Sequence, residues 1–176
     1  MQEGRRGIRV QDGPILSLQS VVLTSVLSFK TVVTPGDILA AYPEIWPFSQ
    51  QLLPYYRNFT RPLPAFIDPA SPSTSLRIDA IFVYNDPRDW GLDAQIIKDV
   101  LLSKQGILGT LSSKNGDAGT ENRGYQQDGQ PPLYFSNPDL LWAAAYHLPR
   151  LGQGGFREAL EGIWQVSATT TIKTFC

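Results

Sequence analysis

Apolar and polar positions along the chain fall into short runs whose spacing changes from segment to segment. Leu16, Leu18 and then Val21 to Leu23 read as strand material. Thr34-Pro35-Gly36-Asp37 is a helix start: a hydroxyl to accept from backbone amides, a proline for the first helical position, and an acid where a capping box places one. The helix it opens is short, ending at Tyr42 before Pro43. Seven prolines follow between Pro43 and Pro72, among Trp46, Phe48, Tyr55 and Tyr56, and predict an irregular loop anchored by aromatic rings. Ile78 to Tyr84 is apolar at every position but Asp79, the pattern of a strand covered on both faces. After a polar turn, Leu92 to Ser103 places Ile96, Ile97, Val100 and Leu101 on one helical face and Gln95, Lys98 and Asp99 on the other.

The second half is less regular. Lys104 to Pro132 holds six glycines, and residues 112–130 read as a flexible insertion. Leu133 to Phe135 predicts a short strand, Asn137-Pro138 the start of a helix reaching Ala145, and Phe156 to Trp164 a further helix with Phe156, Ala159, Leu160 and Ile163 inward. The tail from Ser167 to Cys176 resembles a last strand. Strands alternating with helices place the chain in the α/β class.

Composition removes several functions. The 176 residues suit one domain, and an apolar content of 42% supplies a core. Fifteen Lys and Arg against sixteen Asp and Glu give a net charge of −1, without the basic surplus of a nucleic-acid binder or a polybasic membrane-surface protein. One cysteine, Cys176, forms no internal disulfide, and one histidine, His147, excludes a two-His metal site. No run reaches the ~18 apolar residues of a membrane span. Met1 to Asp12 lacks the apolar centre of a secretory signal.

Three polar clusters carry candidate chemistry. Asn85-Asp86-Pro87-Arg88-Asp89 follows the best strand, at the end where open α/β sheets bind ligands. Asp86, Arg88 and Asp89 there suit a polar substrate or a cation, or else a turn locked by Asp86 and Pro87. Asn137-Pro138-Asp139 suits an anion at a helix start, or plain capping. Gly152-Gln153-Gly154-Gly155 is glycine-rich, but no Gly-Lys pair exists in the chain, so it is not a P-loop.

In order, the runs Val33-Thr34-Pro35-Gly36-Asp37-Ile38-Leu39 with Trp46-Pro47-Phe48, Asn85-Asp86-Pro87-Arg88-Asp89-Trp90-Gly91, Gly109-Thr110, Tyr134-Phe135-Ser136-Asn137-Pro138-Asp139 and Pro149-Arg150-Leu151-Gly152-Gln153-Gly154 resemble one family. It is the cat eye syndrome critical region protein group of haloacid dehalogenase-like hydrolases, subclass IIA. The resemblance covers about Phe29 to Trp164. It implies a type 2 cap, a mixed sheet with helices that is inserted between halves of a Rossmann-like catalytic core, with residues 1–28 as a divergent N-terminal segment and 29–176 as the cap-like domain. It further implies phosphatase-type chemistry with Mg²⁺, a mitochondrial location, and Asp86, Arg88, Asp89, Asn137 and Asp139 as residues facing the substrate.

That chemistry uses a nucleophilic Asp, a second Asp two residues on, and a Gly-Lys-Pro lysine. None of the eleven Asp residues has another two positions away, and none of the five Lys follows a glycine or precedes a proline. The expectation is therefore a cap with its catalytic core largely absent, inactive alone, with no cofactor of its own. Its core-facing surface would be exposed and prone to self-association; an α/β binding or interaction module is the alternative.

Overall fold

The structure, a computed structural model, describes residues 15–18 and 29–175. The expected strand at Val21 to Leu23 and the reading of Met1 to Asp12 lie outside them. Four strands form one sheet: β1 (Ile15–Leu18), β2 (Val32–Val33), β3 (Ala80–Val83) and β4 (Leu133–Phe135). The order is β2-β1-β3-β4 and every pairing is parallel. The sheet expected to be mixed is thus parallel, and the antiparallel pairing sits in a separate two-stranded ribbon, β5 (Leu141–Trp142) with β6 (Arg150–Leu151). Beside β4, Phe175 bridges Tyr134 in parallel, its amide donating to the Leu133 carbonyl and its own carbonyl accepting from Phe135 (both 2.9 Å). The tail thereby covers part of that edge.

Alternation along β3 sorts the core. Ile81 and Val83 point to the face that packs against the helices, with Leu16, Leu133 and Phe135 beside them. Ala80 and Phe82 point to the other face, where Phe82 stacks on Tyr84 and Tyr134 with ring centres 5.3 and 5.0 Å apart. The helices are α1 (Pro35–Ala41), α2 (Leu53–Arg57), α3 (Trp90–Leu102) and α4 (Gln153–Ala168).

Helix α1 begins with the predicted capping box. The Asp37 amide donates to Thr34 Oγ1 (3.2 Å) and the Thr34 amide to Asp37 Oδ2 (2.9 Å). Asp37 is buried and also accepts from the Arg61 amide (2.7 Å), which ties the proline-rich loop to this helix. Helix α3 lays Ile96, Ile97, Val100 and Leu101 into the core as the spacing predicts. Helix α4 starts three residues before the predicted position, because Gly154 and Gly155 belong to its first turn. A side chain at Gly154 would strike the Pro138 carbonyl oxygen, so only glycine permits that approach.

The predicted helix over residues 137–145 is absent. An Asn137 Asx turn, with the Asp139 amide donating to Asn137 Oδ1 (2.7 Å), leads into β5 instead. The carbonyls a helix would use are engaged elsewhere: Asp139 O accepts from the Gly154 amide and Leu140 O from the Gly152 amide. The glycine-rich segment after α3 is tied to its end, where the Ser112 amide and Asn115 Nδ2 both donate to the Leu102 carbonyl. Across that segment Ser112 Oγ donates to Asp128 Oδ2 (2.7 Å).

Candidate functional site

A parallel sheet in the order 2-1-3-4 reverses direction between β1 and β3, and the strand ends diverge there to leave a crevice at their carboxyl edge. A cavity of about 320 Å³ lies at that edge, between the segment after β2 and the segment after β3. Thr34 and Gly36 line it on one side and Arg88, Asp89, Leu92 and Asp93 on the other; Tyr55, Tyr56, Phe59 and Thr60 from the proline-rich loop complete it.

Asp89 is the N-cap of α3. Its Oδ1 accepts from the Leu92 amide (3.1 Å), and its Oδ2 accepts from the Tyr56 hydroxyl (2.9 Å). One turn on, Asp93 is 4% exposed, on the same stripe as Ile96, Ile97 and Val100. Burial first, and the neighbouring Asp89 charge second, raise its carboxyl from 3.8 to about 8. The Tyr56 hydroxyl is raised as well, by burial, then by its hydrogen bond to Asp89, then by the charges of Asp89 and Asp93. At neutral pH the cavity floor therefore holds a protonated carboxyl beside one that is anchored by two donors. Such a pair can bind a cation or donate a proton.

The five residues singled out from sequence divide between two places. Arg88 and Asp89 line the cavity, with Arg88 exposed. Asp86 instead lies near Gly152, its Oδ1 3.6 Å from the position a Cβ would take there, beside the carbonyl of Asp139. Asn137 and Asp139 share this second corner. The buried Gln153 holds it together: its Oε1 accepts from the Asn137 amide (2.8 Å), while Ser136 Oγ donates to the Tyr84 carbonyl (2.7 Å). The amides of Asn137, Asp139, Gly152 and Gly154 all have protein acceptors. Through these bonds the two turns bind each other.

Sequence reading missed Asp93 and Tyr56. Asp93 carried a signal, an acid four residues before Ile97 and seven before Val100, on the apolar stripe of the helix. Tyr56 carried none, since its approach to Asp89 spans 33 residues of chain. Among the described residues no three His, Cys, Asp or Glu side chains gather as a metal site would need, and no helix is long and apolar enough to cross a membrane.

The chain is similar to proteins that carry a hydrolase name. It is 38% identical over 131 residues to a mitochondrial hydrolase of Saccharomyces cerevisiae, a match covering 73% of this chain and 32% of that one. It is 35% identical over 143 residues to a cardiolipin synthase (CMP-forming) / mitochondrial hydrolase fusion protein of Schizosaccharomyces pombe, covering 78% of this chain and 20% of that one. The chain thus spans about a third and a fifth of the lengths of these two relatives. No family model matches it.

Proposed function

We propose that this chain supplies the substrate-facing, cap-like module of a mitochondrial hydrolase of the haloacid dehalogenase-like, phosphatase type, and that it does not carry out hydrolysis by itself. The similarity to two proteins named mitochondrial hydrolases, across about three quarters of this chain, is the observation that carries the reading. Support also comes from the fold. Asp86, Arg88, Asp89, Asn137 and Asp139 all follow the carboxyl ends of β3 or β4, where an α/β sheet presents its ligand-binding loops. The haloacid dehalogenase-like reaction uses a carboxylate nucleophile and a second acid two residues on, and no such pair exists among the eleven Asp residues. Mg²⁺ takes near-octahedral oxygen ligands. Among the described residues the carboxylates gather no such set, so they do not fit the metal.

The test replaces the matching segment of the yeast relative with residues 29–175 of this chain and assays phosphomonoester hydrolysis with Mg²⁺. The expected result is turnover by the chimera and by the yeast protein. Failure of the yeast protein to hydrolyse any phosphomonoester, or loss of all turnover in a folded chimera, would overturn the reading.

One observation favours an interaction role alongside it. The β5–β6 ribbon leaves Leu141, Trp142, Tyr146, Leu148 and Leu151 about half exposed, between 48% and 57%, on one short segment. Apolar patches of this kind mark contact surfaces. We propose that this ribbon self-associates when the chain is alone. Sedimentation velocity should show concentration-dependent dimers or larger species, and a monomer at every concentration would refute it.

A further inference from the structure

We propose that the outer face of the proline-rich segment, centred on Leu52, Tyr55 and Phe59 and edged by Arg57, docks on the surface of an anionic lipid bilayer. This does not depend on the hydrolase reading.

The segment is apolar on both of its sides, and its inner side is pinned. Trp46, Leu53, Tyr56 and Leu63 pack against the core. The Arg61 amide donates to Asp37 Oδ1 (2.7 Å) and the Ile67 amide to the Tyr42 hydroxyl (2.8 Å). Pro47 and Pro54 stand in the first turns of the 3-10 helix Pro47–Leu52 and of α2, where their fixed φ suits the helical backbone. The outer side carries large apolar groups in water: Phe48 is 82% exposed, Phe59 68%, Tyr55 56% and Leu52 50%. Tyr55 and Phe59 lie edge-on with ring centres 5.2 Å apart. Leu52 and Tyr55, three positions apart where α2 begins, are neighbours on one side of that turn. These rings are thus held outward by a segment that is anchored beneath them. A grouped apolar surface of this kind marks a contact.

Charge selects the occupant. No residue from Ile45 to Ile67 is acidic, although the chain has sixteen acids, and Arg57 and Arg61 lie within that stretch. Arg57 is exposed and forms no ion pair among the described residues; Arg61 is half-buried beside Asp37. The net charge of −1 conceals this local surplus. A second copy docked symmetrically would set Arg57 against its own counterpart, with no acid in the segment to pair with it. Lipid phosphates supply the opposite charge, and the headgroup level is where amphipathic rings such as Tyr settle. A bilayer also accepts protruding rings without the shaped counterpart that an acidic protein would have to provide. The segment would lie on the interface and not cross it, since no helix among the described residues is long and apolar enough to do so. Tyr55 and Phe59 also line the cavity at the carboxyl edge of the sheet, so docking brings that cavity to the lipid surface.

Flotation of the whole chain with vesicles of phosphatidylcholine alone, and with vesicles containing about one third phosphatidylglycerol, tests the proposal. The expected result is partition onto the anionic vesicles, little onto the neutral ones, and weaker partition at high salt. F59S should bind anionic vesicles about tenfold more weakly, through the lost apolar contact. R57E should lose at least about tenfold there, through charge reversal. Both positions are exposed, so both variants should melt like the parent. Absence of partition onto anionic vesicles up to about 1 mM lipid would overturn the proposal. So would equal partition onto both kinds of vesicle, or unchanged binding in F59S and R57E. Loss of binding in W142S with none in F59S would move the contact to the β5–β6 ribbon and overturn it as well. None of these failures touches the chimera experiment.

Discussion

Replacing Asp93 with Asn should turn a pH-sensitive protein into a less sensitive one, and the direction follows from the site. In the folded chain the Asp93 carboxyl titrates at about 8; its ordinary value is 3.8. Between those two pH values the native state holds a proton that the unfolded chain has released, so stability falls as pH rises through the window. At about 1.4 kcal/mol for each pH unit, the loss by pH 8 has an upper bound near ~6 kcal/mol; water entering the cavity to solvate the carboxylate reduces it. Set against a typical domain stability of about 5–15 kcal/mol, that is a large share. D93N is similar in size and has no charge to bury. At pH 4 the two proteins should have nearly equal stability, and at pH 8 the variant should be the more stable by several kcal/mol. A shallower slope of the same sign remains in D93N, because Asp99 is also raised, by burial opposed by its hydrogen bond from Gln95 and by Lys98. Urea unfolding at pH 4, 6 and 8, in buffers free of organic amines, measures this. Parallel stability–pH curves for the two proteins would refute the argument.

Other substitutions test the packing that places the site. G154A pushes a methyl into the Pro138 carbonyl and to 2.8 Å from the Asp139 carbonyl carbon and should cost about 3 kcal/mol. G162A, on the same helix with open space around it, should stabilise by about 0.5–1 kcal/mol, which thermal melts of the two variants compare directly. D37A leaves the amides of Thr34 and Arg61 without their acceptor and removes the capping box, for a loss of about 2–4 kcal/mol in chemical denaturation.

The legible parts of the chain were those fixed by local pattern. The apolar stripe from Ile96 to Leu101 located α3, the run at Ile78 to Tyr84 located β3, and Thr34-Pro35-Gly36-Asp37 gave both the start of α1 and its capping. Distant partners decided the rest. Asn137-Pro138-Asp139 before Leu140, Leu141 and three alanines has every local mark of a helix. The Gly152 and Gly154 amides and the Gln153 side chain occupy the groups that helix would need, so the segment becomes a ribbon. The same contact explains why Gly154 and Gly155, loop residues by propensity, open a 16-residue helix. Strand order was not readable, because it depends on which strands meet across long stretches of chain. Arg88 and Asp89 line the cavity, whereas Asp86 lies at the corner held by Gln153. The aromatic rings that complete the cavity come from a loop whose sequence announced anchoring but not what it would lie against.

We propose that this chain is inactive alone, because no two of its Asp residues are spaced as the haloacid dehalogenase-like acid pair. A phosphatase assay on the purified chain with Mg²⁺ and p-nitrophenyl phosphate tests it most directly. No turnover above the buffer rate is expected at any protein concentration. Saturable turnover that co-purifies with the folded chain and scales with its concentration would contradict it.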